Sequence, residues 1–126
     1  GLVVFVAIGR NDTDRDVAYI ANKITGVRIF PGESPRFALS ALDVTADLLI
    51  ISQFTLYGDT HKGSRPSFTK AAPASIAEPL YKGLITRLRQ TSLEIGTGVF
   101  GEHMEVQLIN DGPVTIWIDS THLNDI

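Results

Sequence analysis

Two short segments offer the groups from which a catalytic site could be built. One is Ser52-Gln53-Phe54-Thr55-Leu56, at the end of an apolar run, and the other is Gly112-Pro113, which follows Asn110-Asp111 and precedes Val114-Thr115. Both supply backbone groups and small polar side chains rather than acids, bases or metal ligands. Backbone N–H dipoles fixed in a dry pocket stabilise the negative oxygen of an ester-hydrolysis intermediate, at roughly 3 kcal/mol per donor. The pattern therefore indicates a site made of main chain.

Each segment also has a simpler structural interpretation. Thr55 is β-branched and suits the end of a buried strand. Gly112-Pro113 suits a turn between two strands, and X–Pro bonds are cis in only about 5% of cases. From the residues alone, both interpretations stay open for both segments.

A basic segment follows the first motif. No acidic residue occurs between Asp59 and Glu78, whereas four basic or titratable side chains do: His61, Lys62, Arg65 and Lys70. A solvated loop is the ordinary interpretation of such a run. On a chain whose net charge is -3, a local positive patch would instead hold a few phosphates at one end of a nucleic acid.

Composition excludes several other kinds of site. The absence of cysteine rules out disulfides, thiol catalysis and Cys-ligated zinc. His61, His103 and His122 are scattered, so we predict no metal site and no cofactor. The chain has no G-x-S-x-G elbow and no glycine-rich phosphate loop. A Ser-His-Asp triad assembled from distant segments stays open, because triads are spatial.

Two helices are predicted. The first is preceded by N-cap candidates at Asp12-Thr13-Asp14, and Gly26 is suited to its left-handed C-terminal position. The second is marked by apolar residues at helical spacing, with Pro79 in or near its first turn. These apolar residues are Ile76, Leu80, Leu84, Ile85 and Leu88.

Strands are predicted at residues 1–9, 27–30, 47–56, 104–110 and 114–119, with a turn-rich loop at 31–35. The 126 residues are expected to form one domain, 1–126, of the mixed α/β (α+β) class. In it, two helices pack on a mainly antiparallel, barrel-like sheet. The opening apolar run is too short to cross a bilayer, so no membrane association is predicted. Because buried strands usually have neighbours on both sides, we expect N-terminal strands of this sheet to be missing from the chain.

The sequence resembles the D-aminoacyl-tRNA deacylases. The resemblance is carried by residues 52–68, by 71–73 and 77–81, and by 97–101 with Met104. It continues through Asn110-Asp111-Gly112-Pro113-Val114-Thr115 to Asp119-Ser120. Two long motifs occur in the same order as in the family, and the similarity covers nearly the whole chain.

The resemblance implies a cytoplasmic proofreading hydrolase that cleaves the ester between a D-amino acid and tRNA, and thereby recycles the tRNA. It implies a homodimer with the active site at the subunit interface. Residues 52–56 would line the pocket for the aminoacylated 3′ adenosine. Gly112-Pro113 would enter from the partner subunit with a cis bond, and its carbonyls would exclude an L side chain. Glycine, which has no side chain to exclude, would be accepted as well.

The same resemblance suggests roles for individual residues. We expect the backbone N–H groups of Phe54 and Thr55 to hold the oxyanion, while the 2′-hydroxyl of the substrate helps to orient or activate water. Ser52 and Gln53 would shape the pocket. Thr55 as a nucleophile is the alternative, although the sequence offers it no neighbouring base.

Lys62 and Arg65 would hold the CCA end of the tRNA. Two rival functions stay open: a dimeric domain that binds tRNA but has lost catalysis with its N-terminal strands, and a serine hydrolase that uses Ser52 with His61 or His103.

Overall fold

The structure is a computed structural model that describes residues 1–33 and 37–122. These residues form three strands: β1 (Leu2–Val6), β2 (Leu48–Ser52) and β3 (Ile95–Thr97). The helices are α1 (Asp14–Gly26), α2 (Ala41–Val44) and α3 (Ala74–Arg89), and short 3₁₀ turns occur at Phe54–Tyr57 and Ser120–His122.

The sheet is open and entirely parallel. Its strand order is β1-β2-β3, with Leu2 paired to Leu48 and Leu48 paired to Ile95. The prediction of a mainly antiparallel, barrel-like sheet was therefore wrong. The missed signal was the unbroken apolar character of β1 and β2, which is typical of parallel strands joined by helical crossovers.

The described residues contain three helices rather than the two predicted. The extra one, α2, is a single turn that starts at a capping box: Asp43 N–H donates to the Ser40 hydroxyl at 3.1 Å, and Ser40 N–H donates to the Asp43 carboxylate at 2.9 Å. The first predicted helix is confirmed with Thr13 as its N-cap, although the extended residue after it is Val27 rather than a left-handed glycine. Pro79 lies in the second turn of α3. No helix in the described ranges is long and apolar enough to span a membrane.

Several predicted strands are shorter or absent. The strand predicted at 47–56 ends at Ser52, and residues 27–30 contribute only an isolated antiparallel bridge between Phe30 and Leu39. Within residues 104–119 the structure forms no strand. The alternating pattern of this segment was misleading, because its apolar side chains include Ile109, 92% exposed, and Trp117, 70% exposed. Part of the loop predicted at 31–35 lies outside the described residues.

Helices α1 and α3 pack together against one face of the sheet. Ile50, Leu84 and Leu88 are the largest fully buried side chains, and burial of each stabilises the fold by about 1.5–3 kcal/mol. The buried Tyr81 hydroxyl donates to the Ile50 carbonyl at 2.8 Å, which ties α3 to the central strand. This core positions the carboxyl end of β2, where the first motif begins.

Candidate active site

The first motif forms the junction between β2 and the 3₁₀ turn Phe54–Tyr57, which we call the site turn. Ser52 is the last residue of β2 and is half-buried. Gln53 N–H donates to the Val6 carbonyl at 2.7 Å, so the junction is fixed to the neighbouring strand. In open parallel sheets, ligands bind beyond the carboxyl ends of the strands. The site turn lies at that edge.

Two adjacent backbone N–H groups of this turn have no acceptor in the described part of the chain. Within the described residues, neither Phe54 N–H nor Thr55 N–H has a hydrogen-bond acceptor, whereas the following Leu56 N–H donates to the Gln53 carbonyl at 3.2 Å. Both residues are exposed, and 59% of Phe54 is accessible to solvent. Unpaired donors side by side can bind one oxygen atom that carries negative charge.

The Thr55 hydroxyl accepts a hydrogen bond from the Gln53 side-chain amide. Among the residues that the structure describes, this amide is its one hydrogen-bond partner, and an amide cannot accept a proton as a general base. His61 forms no hydrogen bond with Thr55 among the described residues, and its Nδ1 lies 2.6 Å from the Asp59 carboxylate. The geometry therefore provides no activated side-chain nucleophile at Thr55.

An aromatic contact joins the site turn to the basic segment. The rings of Phe54 and Phe68 meet edge to face, with centroids 5.2 Å apart and an interplanar angle of 73°. Gly58 leaves space for this pair, because a Cβ there would lie 3.2 Å from Phe68 Cε1.

Residues 59–67 form a turn structure that we call the basic hairpin. It is closed by two backbone hydrogen bonds between Asp59 and Ser67, at 2.7 and 2.8 Å. Lys62 and Arg65 are exposed in it and form no ion pair with any described residue. Hydrogen bonds from the backbone and ring of His61 lower the pKa of Asp59. The one acid of the hairpin thus stays ionised and paired locally, so the two cations are available to a ligand.

The second motif is an exposed loop stabilised by Asn110. The Asn110 side chain accepts from Val114 N–H at 3.0 Å and donates to the Thr115 hydroxyl at 3.0 Å. Gly112 has a φ of +145°, and a Cβ there would lie 2.8 Å from Val114 Cγ2, so the position requires glycine. The Gly112–Pro113 peptide is cis, as the resemblance implied.

Within the described part of one chain, Leu56 is the one residue of the first motif that shares a pocket with the second motif. A cleft of about 940 Å³ lies between β1 and the segment 108–120. Gly112 lines this cleft, as do Leu56 and Tyr57, but residues 52–55 do not. The described part of the chain also contains no group of three His, Asp or Glu side chains placed to hold a metal ion.

Sequence reasoning missed a contact behind the site turn. The hydroxyl of Tyr57, the last residue of the turn, lies against the buried backbone of Gly9. A signal was available, because Gly9 ends an apolar run where a glycine often marks a close approach by another group.

Acidic residues surround this contact. Burial raises the pKa of the Asp12 carboxyl, the hydrogen bond from Gly9 N–H opposes that rise, and the charges of Asp16 and Asp119 add to it. Burial also raises the pKa of the Tyr57 hydroxyl, again with contributions from the three carboxylates. The phenol is therefore neutral at pH 7.

The fold and the site define a class of protein: a small α/β domain whose candidate catalytic groups are main-chain N–H donors at a sheet edge. The sequence model of the D-Tyr-tRNA(Tyr) deacylase family matches residues 1–119, and the chain belongs to this family.

Individual relatives agree with that assignment. The D-aminoacyl-tRNA deacylase of Thermotoga petrophila is 48% identical over 123 residues, which is 98% of this chain and 83% of the relative. The enzyme of the same name from Halothermothrix orenii is 52% identical over 120 residues, which is 95% of this chain and 80% of the relative.

Solved structures support the fold. The structure of the c-Myc DNA Unwinding Element Binding Protein has a TM-score of 0.89 and 36% identity, and the match covers 95% of this chain and 82% of that one. A probable eukaryotic D-amino acid tRNA deacylase, at 18% identity and a TM-score of 0.68, shares the fold over 82% of this chain and 76% of its own.

Proposed function

We propose that this chain hydrolyses the ester between a D-amino acid and tRNA with main-chain groups of the site turn. Hydrolysis of D-aminoacyl-tRNA is the activity of its family and of the relatives named above, so a binding module without catalysis is not favoured. The observation that carries the main-chain mechanism is the pair of N–H groups, at Phe54 and Thr55, that lack acceptors among the described residues.

In the proposed reaction, the ester carbonyl oxygen lies against these two N–H groups. Water attacks the carbonyl carbon, and the negative oxygen of the tetrahedral intermediate is stabilised by both donors. The bond from carbon to the 3′ oxygen of the tRNA then breaks. The leaving oxygen takes the proton that the attacking water loses, and the products are a free D-amino acid and tRNA with its 3′-hydroxyl restored. The 2′-hydroxyl of the substrate orients the water.

Thr55 acts as a pocket residue in this scheme. Its hydroxyl is held by the Gln53 amide, and no described base is bonded to it. Gln53 and the half-buried Ser52 shape the wall that receives the terminal adenosine. The side chains therefore set the shape of the pocket, while the backbone supplies the electrostatic stabilisation.

Lys62 and Arg65 would bind phosphates of the CCA end. Both are exposed and unpaired within the described residues, and the residue that follows their hairpin, Phe68, contacts Phe54 of the site turn. A chain with net charge -3 attracts nucleic acid only where cations cluster, so binding would be local to this face. Because its substrate is charged tRNA, the protein would act in the cytoplasm.

Selection against L-amino acids would come from a second copy of the chain. The Gly112-Pro113 loop is exposed, and Gly112 lines a cleft that residues 52–55 of its own chain do not line. In a two-fold homodimer it could reach the site of the partner. Its carbonyls would face the substrate amino group and leave no space for an L side chain, while glycine would still fit.

The test of the activity compares D-Tyr-tRNA, L-Tyr-tRNA and Gly-tRNA as substrates. We expect release of D-tyrosine and glycine with no release of L-tyrosine above the uncatalysed rate. Equal cleavage of both tyrosine enantiomers would contradict stereochemical exclusion. Binding of charged tRNA without any hydrolysis would contradict the assignment as an enzyme.

The homodimer is tested by mixing two inactive variants. Phe54→Pro removes one N–H donor, and Gly112→Ala disturbs the second motif, whose backbone conformation excludes a Cβ. If each site uses one motif from each subunit, mixed dimers contain one intact site, and a refolded equimolar mixture recovers about a quarter of wild-type activity. No recovery would show that each chain builds its site alone.

A further inference from the structure

We infer that Tyr57 and Gly9 are positioning residues for the deacylation, which hold the site turn so that its free N–H groups keep their orientation. The inference rests on the proposed main-chain function. It concerns how the donors are held rather than what they bind.

The evidence begins with the closeness of the two residues. A Cβ built on Gly9 would lie 2.6 Å from the Tyr57 hydroxyl oxygen and 3.2 Å from the ring carbon that bears it. Real Cβ atoms do not approach other heavy atoms as closely as 2.6 Å. The end of the Tyr57 side chain therefore occupies the space that any side chain at residue 9 would fill.

The backbone on which Tyr57 rests is held on several sides. Gly9 N–H donates to the Asp12 carboxylate at 2.7 Å, and Asp12 N–H returns a bond to the Gly9 carbonyl at 3.2 Å. Residues 8–10 are also bonded to 70–72, through Arg10 N–H to the Lys70 carbonyl at 3.2 Å and Ala72 N–H to the Ile8 carbonyl at 2.9 Å. Gly9 thus offers a fixed surface.

Tyr57 transmits that fixed position to the donors because it ends the same short turn. Phe54 and Thr55 precede it by three and two residues, and the turn is closed by the bond from Gly58 N–H to the Thr55 carbonyl at 2.9 Å. Because the turn has only four residues, a displacement of its last side chain would also move the backbone that carries the two N–H groups. A misplacement of about 1 Å at a catalytic group can lower the rate by about 10²-fold.

The experiment is a double-mutant cycle between the two positions, read as kcat and KM on D-Tyr-tRNA. Gly9→Ala places a methyl group against the Tyr57 hydroxyl, and we expect kcat to fall by about 10²-fold while KM changes by less than about threefold. Tyr57→Phe removes the oxygen that the methyl group would meet. In that background, Gly9→Ala should lower kcat by less than about fivefold, so the second substitution rescues the first.

Two controls separate positioning from stability. Gly83→Ala, in the interior of α3, adds a methyl group with no atom within 4 Å, so kcat should stay at the wild-type value while Tm rises slightly, because alanine is favoured over glycine inside a helix. Tyr57→Ala removes the ring without adding atoms. It should lower kcat while KM is retained, which keeps the test decisive if Gly9→Ala does not fold.

The inference is overturned if Gly9→Ala lowers kcat equally in both backgrounds, or if folded Gly9→Ala and Tyr57→Ala both keep wild-type kcat. Failure of the main-chain function would be seen elsewhere, as full activity of Phe54→Pro. The two failures are therefore distinguishable.

Discussion

The Gln53 side-chain amide donates a hydrogen bond to the Thr55 hydroxyl, across the junction where β2 gives way to the site turn. This bond engages a lone pair of the Thr55 hydroxyl, the one aliphatic hydroxyl of the turn, and its donor is a group that cannot remove a proton. The two side chains therefore shape the pocket wall, and the backbone N–H groups of Phe54 and Thr55 are the groups that can take part in the reaction.

Thr55→Ala should therefore retain most turnover. The substitution removes the hydroxyl but keeps the backbone N–H, so we expect kcat on D-Tyr-tRNA to fall by less than about tenfold. Loss of a covalent nucleophile would instead cost more than about 10³-fold. Single-turnover kinetics with binding measured separately would decide, since complete loss with intact binding would favour the covalent route.

Phe54→Pro should be far more damaging than Phe54→Ala. Proline at the first position of a helical turn fits the backbone but has no N–H, so it deletes one proposed donor. Relative to Phe54→Ala, which removes the ring alone, we expect a further loss of about 10²–10³ in kcat. Circular dichroism and Tm should show that both variants fold. Equal kcat values for the two folded variants would show that Phe54 N–H takes no part in catalysis.

Neutralising both cations of the basic hairpin should weaken tRNA binding without changing the chemical step. For Lys62→Gln with Arg65→Gln, we expect KM to rise between about threefold and thirtyfold at constant kcat. The slope of log KM against log salt should fall by about 1.4, since each contact to a single strand contributes about 0.7.

Lys82→Gln is the matched control for the hairpin variant, because Lys82 is an exposed cation outside the hairpin. It lies in α3, where its Nζ is 3.7 Å from Glu78 Oε2. It should leave both the KM and its salt dependence at wild-type values. An equal effect of the control would indicate general charge attraction rather than contact at the hairpin.

Asp12→Asn should stabilise the fold at neutral pH. Burial is the main reason that the pKa of Asp12 is raised above 3.8, so ionisation is less favourable in the folded chain than in the unfolded one. The stability of the wild type is then greatest below the unfolded pKa and decreases as pH rises through the folded pKa. Asparagine can still accept from Gly9 N–H but carries no charge.

We expect Asp12→Asn to gain up to about 1 kcal/mol at pH 7, after allowance for solvent screening, and nothing near pH 3. Urea unfolding at both pH values measures this. A variant that is less stable at pH 7 would show that the ionised carboxylate contributes more than it costs.

Local signals predicted α1 and α3 but not the single-turn helix α2. Thr13 caps α1 because its side chain and that of Asp16 satisfy free backbone groups, which is a property of adjacent residues. The spacing of Leu84, Ile85 and Leu88 likewise places α3 against the core. Strand partners were predicted poorly, since an apolar run such as 48–52 is typical of a buried parallel strand but does not determine which neighbours the strand pairs with.

The amino-acid sequence alone determined the chemical inventory of this protein: no thiol, dispersed histidines, a basic hairpin, and two motifs that identify the family. Only the tertiary structure decided that the sheet is parallel and that β2 stops at Ser52, leaving Phe54 and Thr55 N–H without described acceptors. It also brought Tyr57 against Gly9, 48 residues earlier in the chain. The physical reason is that residue types and caps act over a few neighbouring positions, whereas hydrogen-bond satisfaction and side-chain contact depend on segments that only folding brings together.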